Sequence, residues 1–221
     1  MAEAQPICSP MVTNCKLSKS GADIFFDPTL YSVVGALQYT TITRPEISFT
    51  VNKVCQFMSN PLDTHWVAVK RIPRYLKGSI SHGLHLRPAI PRRPLSIHAL
   101  CNADWASDVD DHRSTSGVAI YLGPNLVSWW SRKQVVARSS TEAEYDSLAQ
   151  ATAETLWIQT LLTELGVPFT IPVIFCDYQS AVPLAHNPVL HTQTKHMETD
   201  VFFVREWVLT KQLNGSSYSC S

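Results

Sequence analysis

Four acids stand where a reaction centre is conceivable: Asp104 in "CNADWA", Glu142 and Glu144 in "RSSTEAEYDSLAQATAE", and Asp177 in "FCDYQSA". Each also has an ordinary duty. A Ser or Thr followed three residues later by Glu is a capping box, in which each partner satisfies a backbone N–H of the first helical turn. Ser139 with Glu142 fits that pattern, and so does Thr141 with Glu144. Acids near a helix start are favoured in any case by the macrodipole. Asp177 is suited to cap a following helix, and Asp104 to hold a turn. Taken together the acids read differently. Unit charges about 4 Å apart repel by roughly 4 kcal/mol at an effective dielectric of 20. Gathering three carboxylates therefore calls for a cation, and oxygen-only ligands select Mg²⁺ or Mn²⁺. Two such ions about 4 Å apart form the clamp used for in-line attack on a phosphodiester.

The elements that must position these acids follow from the hydrophobic pattern. "LSIHALCNADWA" alternates, with Leu95, Ile97, Ala99 and Cys101 on one face, as a strand does. "GVAIYLG" and "LVSWWS" read as two further strands joined by a tight "GPN" turn, so the first three form an antiparallel meander. A long helix over about 139–165 places Tyr145, Leu148, Ala149, Thr152 and Leu156 on one stripe and ends at Gly166. "IPVIFCD" is a short apolar run, typical of a strand buried on both faces. Asp104 and Asp177 then sit at the carboxyl ends of strands, where open α/β sheets bind ligands. Helices over about 178–186 and 198–209 complete a mixed-sheet α/β plan.

The preceding part has a different period. Residues 1–28 are irregular, with Pro6, Pro10 and Pro28, and residues 29–87 are mostly helical. Val33, Val34, Leu37 and Thr41 recur at helical spacing, as do Ile47, Val51, Val54 and Met58. A third helix starts near an Asp63 cap and stops at Gly78, and Pro73 should kink it at a cost of about 3 kcal/mol or more. The Pro-rich "RPAIPRRP" marks a boundary, with residues 88–94 as linker, 95–213 as the second domain and 214–221 as a disordered tail.

Composition narrows the function class. With 45% hydrophobic and 16% charged residues the chain builds a core, and its formal net charge of zero supplies no overall basic field. Any contact to phosphates must come from local groups; Arg87, Arg132 and Lys133 are candidates, although solvated charge is the commoner explanation for such residues. The six cysteines form no CxxC pair and no secretory signal precedes them, so an intracellular protein, cytoplasmic or nuclear and not secreted, is expected. No apolar run spans a bilayer, and no membrane partner is expected. His186, His191 and His196 recur every five residues, a spacing unsuited to a helical ligand pair. The acidic "DVDDHRSTSG" lacks the Gly and final Glu of a calcium loop.

The segments "YSVVGALQYTTITRPEISFTVNKVCQFMSNP", "HWVAVKRIPRYLKGS", "NADWASDVDDHRSTSG", "ARSSTEAEYDSLA", "CDYQSA" and "TKHMETDVFFVRE" together closely resemble the Pol polyprotein of copia-type LTR retrotransposons. The resemblance covers nearly the whole chain, from the end of the reverse transcriptase through a connecting region into the ribonuclease H domain. It implies a ribonuclease H-like mixed sheet flanked by helices, preceded by a small, mostly helical thumb or connection segment. It also implies hydrolysis of the RNA strand of RNA–DNA hybrids during reverse transcription, with two Mg²⁺ or Mn²⁺ ions. The implied partners are the hybrid and the reverse transcriptase of the same polyprotein. Polymerase activity is not expected.

Carried over residue by residue, Asp104 matches the first catalytic aspartate and Asp177 the one that ends the fourth strand. Glu144, followed by "YDSL", fits the helix glutamate better than Glu142, which is left to the cap with Ser139. Arg113, Ser114 and Ser116 of "HRSTSG", with Arg132 and Lys133, are the implied nucleic-acid contacts. The pattern departs from the family after "VREWVLTKQL", where "NGSSYSCS" follows. The family's last strand, and the last helix with its fourth acid, are therefore expected to be missing, with Glu198 and Asp200 as weaker substitutes. Tyr178 and Pro73 also depart from the pattern. The alternative reading is an inactive relic that binds hybrid or a polymerase partner.

Overall fold

The computed structural model describes residues 4–13, 15–21, 23–176, 198–210 and 214–217. It divides into two compact units, Met1–Leu84 with Asp108–His112 and Trp130–Arg132, and His85–Ser107 with Arg113–Trp129 and Lys133–Ser221.

The first unit is built on short helices: α1 (Pro28–Tyr31), α2 (Val33–Thr40), a 3-10 turn at Pro45–Ile47, α3 (Ser48–Cys55) and α4 (Asp63–Gly78). Asp27 caps α1 by accepting the Leu30 N–H, and Pro28 fills the first helical position, where a missing N–H costs nothing. The expected stripe of Ile47, Val51 and Val54 is fully buried, whereas Met58 is exposed because α3 ends before it. Tyr31 is buried with them and its hydroxyl donates to the Val54 carbonyl at 2.9 Å. Burial and the neighbouring Cys55 push its phenol well above the usual range. The helix expected to suffer at Pro73 runs through it to Gly78. Val69 and Ile72, both buried in the core, hold that stretch, so packing outweighs the lost helical bond.

The start of α4 differs from expectation as well. Asp63 lies inside the first turn, and the backbone N–H of Leu62 is taken by the His65 ring at Nδ1, 3.0 Å away. His65 is fully buried, and its Nε2 stands 2.8 Å from the Ser18 carbonyl oxygen, to which it donates. Both ring nitrogens are thus committed to the neutral form. Burial lowers the His65 pKa, opposed by the Ser18 bond and the Asp110 charge. The folded pKa lies below the unfolded one, so the stabilisation is complete above about pH 6.5 and is lost as pH falls through that value toward the folded pKa. Melting at about pH 7.5 and about pH 5 should show a drop that shrinks in His65→Gln. An equal drop in both proteins would contradict this account.

The second architecture is a five-stranded sheet: β1 (Ile97–Asp104), β2 (Thr115–Leu122), β3 (Asn125–Lys133), β4 (Val173–Cys176) and β5 (Asn214–Ser217), with α5 (Ser140–Glu164) and α6 (Glu198–Leu209) as helices. The strand order is β3-β2-β1-β4-β5. β1 runs antiparallel to β2, from Ile97 opposite Leu122 to Asp104 opposite Thr115, and parallel to β4, with Ala99 opposite Ile174 and Cys101 opposite Cys176. Gly123, at φ +57°, makes the β2–β3 turn, and its N–H donates to Ser96. Gly166, at φ +66°, closes α5, with the Val167 N–H reaching back to Leu162. The ribonuclease H-like mixed sheet flanked by helices is therefore present.

One expectation is corrected. The last strand, expected to be missing, is formed by Asn214–Ser217, which pairs parallel with β4 from Val173–Asn214 to Cys176–Ser217. Asn, Gly and Ser have little intrinsic strand propensity. Ladder bonds use backbone groups alone, and the open edge of β4 supplies them. The helix expected at 178–186, with His186, His191 and His196, lies outside the described residues.

Candidate active site at the carboxyl end of β1

α5 begins with the expected cap. Ser139 has extended backbone and its Oγ accepts the Glu142 N–H at 3.2 Å. The Glu142 carboxylate accepts the Arg138 N–H at 2.6 Å, one residue earlier than a reciprocal box would place it. Glu142 is thus engaged at the helix start. Glu144, two residues further, is only 8% exposed and faces the sheet. Its Oε1 accepts the Ala103 N–H at 3.3 Å, and its Oε2 accepts from the Cys176 thiol at 3.8 Å.

The helix is fastened at this point. Ser147 Oγ donates to the Asn102 carbonyl at 3.0 Å, and Gln134 Nε2 donates to the Ala143 carbonyl at 2.7 Å. Ser147 lies three residues after Glu144, hence on the same helix face. That spacing was readable in the sequence but was not used. The Cys101 thiol is pushed well above its ordinary range, first by its hydrogen bond with Cys176, then by burial and by the Cys176 and Glu144 charges. It stays protonated and adds no charge to the site.

Asp104 is the exposed last residue of β1. It adjoins Ala103, whose backbone N–H bonds Glu144. Asp177 follows Cys176 in sequence and lies outside the described residues. Among the described residues, no three His, Cys, Asp or Glu side chains are grouped to hold a metal ion. The weaker candidates lie on α6. Glu198 opens that helix. Asp200 is half-buried, and its carboxyl is pushed above the usual range, first by burial and then by the charges of Asp146 and Glu142.

The implied nucleic-acid contacts divide by burial. Arg113 and Arg132 are exposed, and the Arg132 guanidinium sits 4.8 Å from the Trp130 ring centroid. Lys133 is partly buried. Ser114 and Ser116 are buried. The Ser114 Oγ accepts the Ala106 N–H at 3.2 Å and holds the turn after β1. Arg87, proposed for phosphates from sequence, has its backbone tied to the Asn125 side chain at 2.8 and 2.9 Å.

The chain is similar to the retrovirus-related Pol polyproteins of transposons RE2 and RE1 from Arabidopsis thaliana, at 46% and 47% identity over 211 residues, 94% of this chain and 14% of each relative. A third such polyprotein, from transposon TNT 1-94 of Nicotiana tabacum, is 34% identical over 217 residues, 94% of this chain and 16% of that one. The chain thus spans about 14–16% of the length of these curated relatives. Among solved structures, a foamy viral protease–reverse transcriptase in complex with double-stranded DNA aligns over 91% of this chain and 33% of its own, with a TM-score of 0.55 and 10% identity. No protein-family model matches the chain.

Proposed function

Because the chain belongs to the retrovirus-related Pol polyproteins of copia-type transposons, we propose that its ribonuclease H-like unit hydrolyses the RNA strand of RNA–DNA hybrids during reverse transcription. The observation that carries this reading is Glu144, a buried carboxylate held against the strand end that bears Asp104. Burying a carboxylate is costly, and a reaction site is one place where that cost is repaid.

The donor chemistry fits a divalent ion. Asp104 and Glu144 offer hard oxygen ligands from one strand end, and Asp177 is the proposed third. Bound Mg²⁺ or Mn²⁺ would supply a water nucleophilic near neutral pH and offset the phosphate charge. The protein's own part is positioning. The Ala103 N–H fixes one Glu144 oxygen, while the Ser147–Asn102 bond ties α5 to β1 and the Gln134–Ala143 bond ties it to the residue after β3. The protonated Cys101 thiol leaves charge at the site to the carboxylates. Arg113, Arg132 and Lys133 are the proposed phosphate contacts. The first unit is read as the reverse-transcriptase connection, facing the polymerase of the same polyprotein inside the cell.

The test is labelled RNA annealed to DNA, incubated with Mg²⁺ and, in parallel, with a chelator. Cleavage confined to the hybrid and to the Mg²⁺ arm is expected. Hybrid retained without cleavage would favour the binding-only relic, and a chain that neither binds nor cuts would overturn the assignment.

A further inference from the structure

We infer that Trp105 is a substrate-contact residue whose indole packs against a sugar of the nucleic-acid strand beside the scissile phosphate. This rests on the hydrolase reading above. Trp105 directly follows Asp104 and is 48% exposed. Several bonds hold it there. Its Nε1–H donates to the Ala137 carbonyl at 3.3 Å. The next residue, Ala106, has φ +53°, a conformation that L side chains with a Cβ rarely adopt. Its N–H is pinned by the buried Ser114, and Ser107 Oγ bonds Thr115 Oγ1 at 3.0 Å, opposite Asp104 in the β1–β2 register. A backbone held in a sparsely populated state by its surroundings is the pattern expected where a side chain must be presented.

The chemistry of the presented surface selects its ligand. The indole's single donor is already used, so what remains outward is apolar. Val135 and Val136, 76% and 59% exposed, adjoin Ala137 in the same loop and extend that character. Trp105 follows Asp104 directly in the chain, so the ring is one residue removed from the proposed reaction centre. The C–H faces of a sugar are common to every nucleotide, and contacts to sugars carry no direct sequence information. The contact therefore supplies affinity without sequence preference.

The experiment measures hybrid binding in chelator, where no cleavage intervenes, for the parent, Trp105→Ala and Trp105→Phe. Trp105→Ala should weaken binding by about 10-fold, with Trp105→Phe recovering most of it. The slope of log affinity against log salt should stay unchanged, because no phosphate cation is removed. Melting temperatures close to the parent's would show that the fold is kept. Parent-like affinity in Trp105→Ala, or a loss that Trp105→Phe does not recover, overturns the inference while the hydrolase reading stands. A parent that does not bind hybrid in chelator overturns the inference, and one that also fails to cut it with Mg²⁺ overturns the hydrolase reading as well.

Discussion

Replacing Asp104 with Asn should lower Mg²⁺-dependent cleavage of the hybrid by about 1,000-fold or more while leaving the melting temperature and hybrid binding in chelator near those of the parent. The argument begins with burial. Asp104 is exposed at the end of β1, and surface substitutions away from packing features shift stability by only about 0.5 kcal/mol. Asn keeps the size and one acceptor oxygen but removes the negative charge. A metal supplies several kcal/mol of transition-state stabilisation, and each 1.36 kcal/mol is tenfold in rate, so the loss of one anionic ligand reads as orders of magnitude. Glu144→Gln provides the contrast. Its carboxylate is buried, with Ala103 N–H on one oxygen and Cys176 on the other, so the amide would disturb activity and packing together. Rates and melts on both variants check this. Asp104→Asn cutting at the parent's rate would remove Asp104 from the site.

The period of the apolar residues made most of this fold legible. Ile97, Ala99 and Cys101 alternate in the sequence and are buried in β1, while Tyr145, Leu148, Ala149 and Thr152 form the buried stripe of α5. The cap at Ser139 was legible because its chemistry is local. β5 was not, since Asn214–Ser217 owe their strand to an edge formed elsewhere in the chain. Pro73 was legible as a local cost, and what the sequence could not show is that the core around Val69 and Ile72 carries the helix on through it. At the site, Asp104 and Glu144 were readable as candidates. Spacing alone could not show that Glu144 reaches the Ala103 N–H, or that Ser114 turns inward to hold Ala106. Those facts depend on which strands become neighbours, and the sequence of each element does not contain them.

The sheet's weakest tolerance should lie at Ile174, where substitution by Ala is expected to cost about 2–5 kcal/mol. The side chain is 1% exposed in the centre of a four-residue strand between β1 and β5. Its register partners are Ala99 on one side and Gly215 on the other, the two smallest residue types. Neither can reach into the space that a truncated Ile would leave, so little of the cavity can collapse. Incomplete collapse is what drives such costs toward the upper part of their range. Against a typical margin of about 5–15 kcal/mol, the loss would be a large fraction of the stability of the sheet unit. Ile174→Val, which removes one methylene, should cost only about 0.5–1.5 kcal/mol and serves as the graded control. Denaturant titration measures both: if the two units unfold in separate steps, only the step belonging to the sheet should shift. A shift of less than about 1 kcal/mol for Ile174→Ala would show that the neighbouring strands and α5 relax into the gap.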